Sequence, residues 1–160
     1  MILVAPRRAP PVLFFVLLCL LVGWISGLTT EAAIAPWYRP LAKPSWTPPA
    51  LAFPIAWTVL YVLMGTAAGL VWRSRHRGRR AAVGLFLIQL ALNVLWSPVF
   101  FGMHSPGGGL IVIVLLLVAV AATMTAFFPI SRAAGWLLVP YLLWAGYATT
   151  LNFGIYLLNP

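Results

Sequence analysis

Long apolar runs without charged side chains make up most of the chain. Four stretches contain no Asp, Glu, Lys or Arg: residues 9–30, 44–72, 81–131 and 133–160. A helix that crosses a membrane needs about 20 mainly apolar residues, and each stretch is long enough to supply one. The longest stretch is interrupted by GMHSPGGG at 102–109, whose proline and glycines predict a turn between two helices.

This pattern predicts an all-α integral membrane protein, a five-transmembrane-helix bundle that forms a single domain over residues 1–160. The composition agrees, because 63% of the residues are hydrophobic and 7% are charged, whereas soluble domains carry about 25% charged residues. A loop over residues 31–50 joins the first two predicted helices. The five helices are predicted at about 11–30, 51–72, 81–101, 108–128 and 133–157.

The positive charges are concentrated on one predicted side of the membrane. Of the ten cations, five lie in RSRHRGRR at 73–80, and Arg7, Arg8 and Arg132 fall on the same side, against Arg39 and Lys43 on the other. The positive-inside rule therefore predicts that the N-terminus and the 73–80 loop are cytoplasmic, with the 31–50 loop and the C-terminus outside. The strong arginine bias favours ordinary insertion into an inner cell membrane, which we take to be bacterial. The net charge of +9 is then a membrane feature that attracts anionic lipid, and we expect no nucleic-acid partner.

The N-terminal segment allows a second interpretation. Arg7 and Arg8 before an apolar run also fit a signal peptide cleaved near EAAIA at 31–35. We favour an uncleaved helix, because the run is long enough to span the membrane and Glu31 is a natural stop. Cys19, the only cysteine, lies inside this run and cannot form an internal disulfide.

The residues that usually carry chemistry are scarce. The chain has one acid, Glu31, and two histidines, His76 and His104. A catalytic carboxylate pair is excluded, no metal site is predicted, and proton-driven transport is disfavoured because no ionisable acid or base lies inside a predicted helix. His104 has two readings, an axial ligand for a haem iron or an ordinary loop histidine, and we favour the second.

Aromatic and amide side chains recur at helical spacing in three of the predicted helices. The stripes are Trp57 and Tyr61 in the second helix, Gln89, Asn93 and Trp96 in the third, and Tyr141, Trp144, Ala148 and Asn152 in the fifth. Such stripes face the bundle interior, where they either pack on one another or line a pocket. We expect an aromatic-walled pocket suited to a large, flat, apolar ligand that stacks on the rings.

Two small-xxx-small patterns, Gly23-xxx-Gly27 and Gly65-xxx-Gly69, predict close helix approach. The approach is either within one chain or between two chains, so the patterns give weak support to a homodimer.

Four segments together resemble one known family, the translocator protein or tryptophan-rich sensory protein family (TspO/MBR), formerly the peripheral benzodiazepine receptors. They are WYRPLAKPSWTPP (37–49), FPIAWTVLYVLMG (53–65), QLALNVLWSPVFFG (89–102) and PYLLWAGYATTLNF (140–153). The resemblance implies a five-helix membrane bundle, often a homodimer, that binds porphyrins or haem between its helices under the first loop. It implies no obligatory cofactor, since porphyrin or haem is the ligand.

The resemblance also implies roles for particular residues. The implied pocket residues are Trp37, Trp57, Asn93, Trp96 and Trp144, to which the stripes add Tyr61, Gln89 and Ala148. The loop segment becomes a lid, which its prolines stiffen and its rings make apolar underneath. The lid residues are Tyr38, Pro44, Trp46 and Pro48.

The function that these observations favour is the binding of porphyrin or haem for sensing, transport or disposal. Two alternatives stay open. One is light-dependent porphyrin degradation, in which Trp57 and Trp144 would be catalytic, and the other is a transport scaffold that interacts with lipid or sterol. The cholesterol-recognition stretch of animal relatives is absent, because Phe153 stands in place of its Tyr and no cation follows Tyr156. Gly108 also replaces a pocket-side tryptophan of those relatives, which leaves the pocket more open.

Overall fold

The apolar runs form helices along nearly their whole length. The computed structural model describes residues 11–160, and all regular secondary structure in that range is helical. The helices α1 to α5 cover Pro11–Ala33, Ala52–Arg73, Arg79–Ser97, Pro106–Phe127 and Arg132–Leu158. The predicted all-α membrane fold is therefore confirmed, with bounds close to those expected. Arg7 and Arg8, which were counted among the cations of the cytoplasmic side, lie outside the described residues.

Four helical segments of the described chain are long and apolar enough to cross a membrane. They are Pro11–Tyr38, Ala52–Arg73, Arg79–Gly102 and Pro106–Phe127. The fifth helix, α5, has 27 residues, and at 1.5 Å per residue it is longer than the roughly 30 Å hydrocarbon core. A count of five membrane spans stays a prediction.

Two short polar signals set where the last two helices begin. The hydroxyl of Ser105 accepts a hydrogen bond from the backbone N–H of Gly108, and Pro106 occupies the first position of α4. The hydroxyl of Ser131 accepts in the same way from the N–H of Ala134 in α5. Each serine satisfies an N–H that the first helical turn leaves without a partner.

Glycines bring α1 and α2 into backbone contact. A Cβ atom placed on Gly65 would lie 2.6 Å from the Cα of Val16, and one on Gly69 would collide with the backbone of Val12. A Cβ on Gly23 would collide with the Tyr61 ring, whereas Gly27 has no neighbouring atom within 4 Å. Both patterns thus contribute to packing within the chain, and the two helices run antiparallel.

Successive helices alternate in direction, which gives the bundle two different ends. Near the start of α1, the Phe15 ring lies 6.0 Å from Phe86 in α3, and Phe86 lies 6.2 Å from Phe127 at the end of α4. We call this the basic end, because the 73–80 loop and Arg132 lie here. The opposite, lid end carries the 39–51 loop, the 102–106 turn and the end of α5.

The predicted loop over 31–50 is shorter than expected, because the first eight of its residues are helical. α1 continues through Ala33 and then widens into a π-helical turn over Ile34–Tyr38, where the N–H of Arg39 donates to the carbonyl of Ile34 at 2.9 Å. The wider turn accommodates Pro36, which would clash with a carbonyl in a regular helix. The lid proper is therefore residues 39–51, and Trp37 and Tyr38 belong to the helix that leads into it.

The glycine contact between α1 and α2 can be tested by adding a single methyl group. In Gly65→Ala the new Cβ meets the Val16 backbone, which cannot rotate away, so we expect a loss of about 1–3 kcal/mol in the free energy of unfolding. Gly146 in α5 has no neighbouring atom within 4 Å, and Gly146→Ala should be neutral or stabilising by up to about 1 kcal/mol. Reversible unfolding in mixed detergent micelles measures both, and equal effects would contradict this packing.

Candidate functional site

A buried chain of hydrogen bonds joins α2, α3 and α5 in the interior of the bundle. The hydroxyl of Tyr61 donates to Oδ1 of Asn93 at 2.7 Å, and Nδ2 of Asn93 donates to the hydroxyl of Tyr141 at 2.9 Å. All three side chains are buried. Because an unpaired amide or hydroxyl is costly where water is absent, this chain sets how the three helices face one another.

Tryptophan rings border this hydrogen-bond chain. The Trp57 ring lies one turn before Tyr61, with centroids 5.5 Å apart, and its edge meets the Tyr141 ring at 6.2 Å. Farther along α5, the Trp144 ring packs edge-on against Phe53 at 6.0 Å. The predicted stripes of the second and fifth helices therefore do meet inside the bundle. We call Trp57, Tyr61, Asn93, Tyr141 and Trp144 the interior cluster.

Two polar groups next to the interior cluster have no hydrogen-bond partner among residues 11–160. Gln89 is 1% exposed, and neither of its amide atoms is paired, although it lies one turn before Asn93 on α3. The indole N–H of Trp144 is likewise buried without a partner. Each unpaired group costs about 1–3 kcal/mol. A ligand with its own donors and acceptors would recover that cost.

The remaining predicted pocket residues lie in a second aromatic group. Trp96 stacks on Phe100 at 5.0 Å, and its indole N–H donates to Oδ1 of Asn152 at 3.0 Å. Nδ2 of Asn152 in turn donates to the carbonyl of Pro106, which ties α5 to the start of α4. The Trp96 indole is thus already paired, and this residue can offer a ligand its ring face but not its N–H.

Trp37 joins this second group from the end of the first helix. Its ring meets Phe100 edge-on at 5.4 Å and stacks on the imidazole of His104 at 4.8 Å. Tyr38 packs against Phe101 at 5.4 Å and carries the ammonium of Lys43 above its ring at 4.7 Å. His104 is exposed and has a φ of 52°. It lies in the turn before α4, with its ring against Trp37. The aromatic end cluster is Trp37, Tyr38, Trp96, Phe100, Phe101 and His104.

The lid, residues 39–51, is fastened to α5 at three points. At the C-cap of α5, Oδ1 of Asn159 accepts a hydrogen bond from the N–H of Ala42, and Nδ2 of Asn159 donates to the Ala42 carbonyl, each at 3.0 Å. Pro44 is buried directly against Gly154, where any Cβ would collide with it. The hydroxyl of Tyr147 donates to the carbonyl of Trp46 at 2.7 Å.

Not every lid residue lies as predicted. Trp46 was expected on the apolar underside, but its side chain is 53% exposed and its contact with Tyr147 is through the backbone carbonyl. Pro48 is half-buried. It follows a turn in which the N–H and the hydroxyl of Thr47 both donate to the carbonyl of Pro44. Ala148 is half-buried one turn after Trp144 and packs against the core.

The stripes missed three aromatic residues, Phe53, Phe100 and Phe101. Phe100 follows Trp96 by four residues, so the spacing rule that found Trp57 and Tyr61 would also have found it. Phe53 faces Trp144 from a different helix, a contact that spacing within one helix cannot reveal.

These clusters are packed solid. Tyr141, Phe100 and Gln89 are each at most 1% exposed. A protein interior packed this closely can admit a ligand only when side chains or whole helices move. A large ligand therefore requires the lid or the helix ends beneath it to open. Among residues 11–160, no three His, Cys, Asp or Glu side chains lie close enough to hold a metal ion.

An apolar helical bundle with tryptophans, tyrosines and amides in its interior, and a proline-rich loop packed against one end, defines a class of small membrane proteins built around an aromatic interior. The chain belongs to the TspO/MBR family, whose sequence profile matches residues 15–158. It is 47% identical over 145 residues to the tryptophan-rich protein TspO of Chlorobaculum tepidum, covering 89% of this chain and 92% of that protein.

Relatives with other names also match most of the chain. The tryptophan-rich sensory protein of Cereibacter sphaeroides is 48% identical over 133 residues, which cover 82% of this chain and 83% of that protein. The human translocator protein is 42% identical over 123 residues, with 75% of this chain and 73% of that protein covered. The resemblance drawn from the four sequence segments is therefore confirmed.

The hydrogen-bond chain makes a stability prediction. Asn93→Leu removes two interhelical hydrogen bonds and leaves the Tyr61 and Tyr141 hydroxyls buried without their partner. At about 1–2 kcal/mol for each bond, we expect a loss of about 2–4 kcal/mol. The matched control is Tyr156→Phe, which removes an exposed hydroxyl on α5 and should change stability by less than about 0.5 kcal/mol.

The readout is the unfolding free energy in detergent. A double-mutant cycle of Asn93→Leu with Tyr141→Phe should be non-additive, because the two changes remove the same bond. Additive losses would show that the amide and the hydroxyl do not stabilise each other.

Proposed function

We propose that this protein binds a porphyrin or haem in the interior of the bundle and acts in sensing, transport or disposal of such tetrapyrroles. The observation that carries the proposal is the pair of unpartnered buried groups, Gln89 and the Trp144 indole, beside the rings of the interior cluster. Aromatic rings can stack on a flat macrocycle, and the Gln89 amide and the Trp144 indole N–H can form hydrogen bonds with its polar edge. Family membership supports the same ligand class.

The proposed site has a defined arrangement. Trp57 and Trp144 provide ring faces from α2 and α5, and Trp96 provides a third face at the boundary with the aromatic end cluster. Gln89 is the polar partner whose amide is unpaired and available to the ligand, whereas Asn93 is held by two tyrosines. We assign macrocycle recognition to the tryptophans and Gln89, and a positioning role to Asn93.

Entry to the site would proceed through the lid end. The lid meets α5 through exposed or half-buried contacts at Ala42, Trp46 and their partners, which open at lower cost than the core. The buried Pro44–Gly154 contact would then act as the latch. Its proline limits the conformations of the open lid, so reclosure loses less entropy.

We extend the proposal to topology and assembly. The up-and-down order puts the 73–80 loop and Arg132 at the basic end, with Arg39 and Lys43 at the lid end, and this separation of charge favours five spans with the basic end cytoplasmic. The family resemblance implies a homodimer. Its contact surface would lie away from Gly23, Gly65 and Gly69, since these residues pack within the chain.

Tryptophan substitution tests the proposed site. Protoporphyrin should quench the intrinsic fluorescence of the detergent-solubilised protein saturably. Trp57→Phe combined with Trp144→Phe should weaken the Kd about tenfold, since each change removes one ring of the bicyclic indole and Trp144→Phe also removes the buried N–H that would bond the ligand. The matched control is Trp24→Phe with Trp136→Phe, which removes two tryptophans that are each about two-thirds exposed on the outside of the bundle.

The outcomes are distinct. The control pair should keep the wild-type Kd, and an interior pair that also keeps it would contradict the assignment of the site. Illuminating the same samples separates binding from breakdown: Soret absorbance that falls no faster than in detergent alone identifies a binding protein, and faster, Trp57-dependent loss identifies a degrading enzyme.

A further inference from the structure

An apolar groove opens at the basic end, at the opposite end of the bundle from the lid. It has a volume of about 500 Å³ and lies between the start of α1, the end of α2 and the first turns of α3. Its principal lining residues are Phe14, Phe15, Leu18, Trp72, Val83 and Leu87. The volume falls within the roughly 300–1,000 Å³ of ligand-binding pockets. Phe14 and Leu87 are exposed, so the groove opens sideways toward the lipid.

A basic cleft of about 370 Å³ lies in the adjoining loop. Its walls are Arg75, His76, Arg77, Arg79 and Arg80. The chain contains a single acidic side chain, Glu31, and this residue lies near the other end of α1. The arginines therefore cannot be neutralised by a carboxylate side chain of their own protein. The complementary charge must come from outside the chain.

The groove and the cleft meet at one pair of residues. The guanidinium of Arg79 lies over the Trp72 ring at 5.4 Å and donates to the carbonyls of Trp72 and Ser74 at 3.2 and 2.8 Å. Trp72 lines the groove and Arg79 lines the cleft, so an apolar surface and a cationic surface are continuous across this contact. Arg79 is engaged in holding the loop, while Arg75, Arg77 and Arg80 are exposed.

We propose that this end of the bundle binds one anionic phospholipid, with an acyl chain in the groove and the phosphate on the exposed arginines. Guanidinium groups pair with phosphate through parallel hydrogen bonds, and basic residues beside transmembrane helices attract anionic headgroups. A basic loop alone would attract any anionic membrane surface without selecting a particular lipid. The adjoining groove holds one acyl chain, so the site should bind a single lipid molecule.

Native mass spectrometry of the detergent-solubilised protein tests the site, with phosphatidylglycerol and phosphatidylcholine of equal chain length as probes. We expect a single phosphatidylglycerol adduct and at least fivefold less phosphatidylcholine. Arg75→Gln and Arg80→Gln should each lower phosphatidylglycerol affinity about fivefold, the effect of about one charge near a lipid surface. Arg132→Gln removes an exposed charge at the same end but outside the cleft, and should change the affinity less than twofold.

The groove is tested separately by filling it. Leu87 is 47% exposed, so Leu87→Trp can fill the groove without disturbing the core, and it should reduce the adduct at least fivefold while every arginine remains. The control is Leu143→Trp at a 69% exposed position on α5, which should leave the adduct unchanged. Melting temperatures establish that each variant is folded.

Three results would overturn the proposal. Equal losses in Arg80→Gln and Arg132→Gln would mean that the loop acts through bulk charge. Equal retention of the two lipids would mean that the arginines do not select an anionic headgroup. An adduct unaffected by Leu87→Trp would mean that the groove does not hold the lipid chain.

Discussion

The hydrogen-bond chain from Tyr61 through Asn93 to Tyr141 is the constraint on which the interior of this bundle depends. Helices in lipid gain little from burying one apolar face rather than another, so polar pairs decide which faces turn inward. With Asn93 held between two tyrosines, its neighbours one turn to either side, Gln89 and Trp96, must also point inward. The same hydrogen-bond chain fixes the orientation of α5 about its own axis, and this orientation turns Trp144 toward the interior.

The glycine contact complements this polar constraint. Gly65 and Gly69 bring α2 against the backbone of α1. The hydroxyl of Ser97 in α3 adds polar contacts nearer the other end of α1, with the hydroxyl of Thr30 at 2.7 Å and by donating to the carbonyl of Ser26 at 3.1 Å. About half of the apolar side chains of α1 stay exposed. The two ends of the bundle then differ in chemistry. Aromatic rings and a stiff lid occupy one end, and arginines beside an open apolar groove occupy the other.

Sequence reasoning predicted the helices well, because charge-free runs longer than 20 residues leave few alternatives in a membrane protein. It ended the first helix too early, since it treated Glu31 as a stop, although glutamate is a good helix former and Ala32 and Ala33 continue the helix after it. Helical spacing found Trp57 with Tyr61 and Gln89 with Asn93. It could not show that Asn93 is bonded to both tyrosines while Gln89 is unpaired, because those facts depend on how helices distant in sequence are rotated. The contact between Pro44 and Gly154 could not be predicted for the same reason, because the two residues are 110 positions apart in the sequence.

The most direct measurement is an experimental structure of the protein with protoporphyrin bound in a lipid bilayer mimic. We expect the macrocycle between the rings of Trp57, Trp96 and Trp144, with the Gln89 amide at its edge and the lid displaced from Gly154. A macrocycle bound elsewhere, such as against Trp72 at the basic end, with the interior cluster still closed, would contradict the central claim.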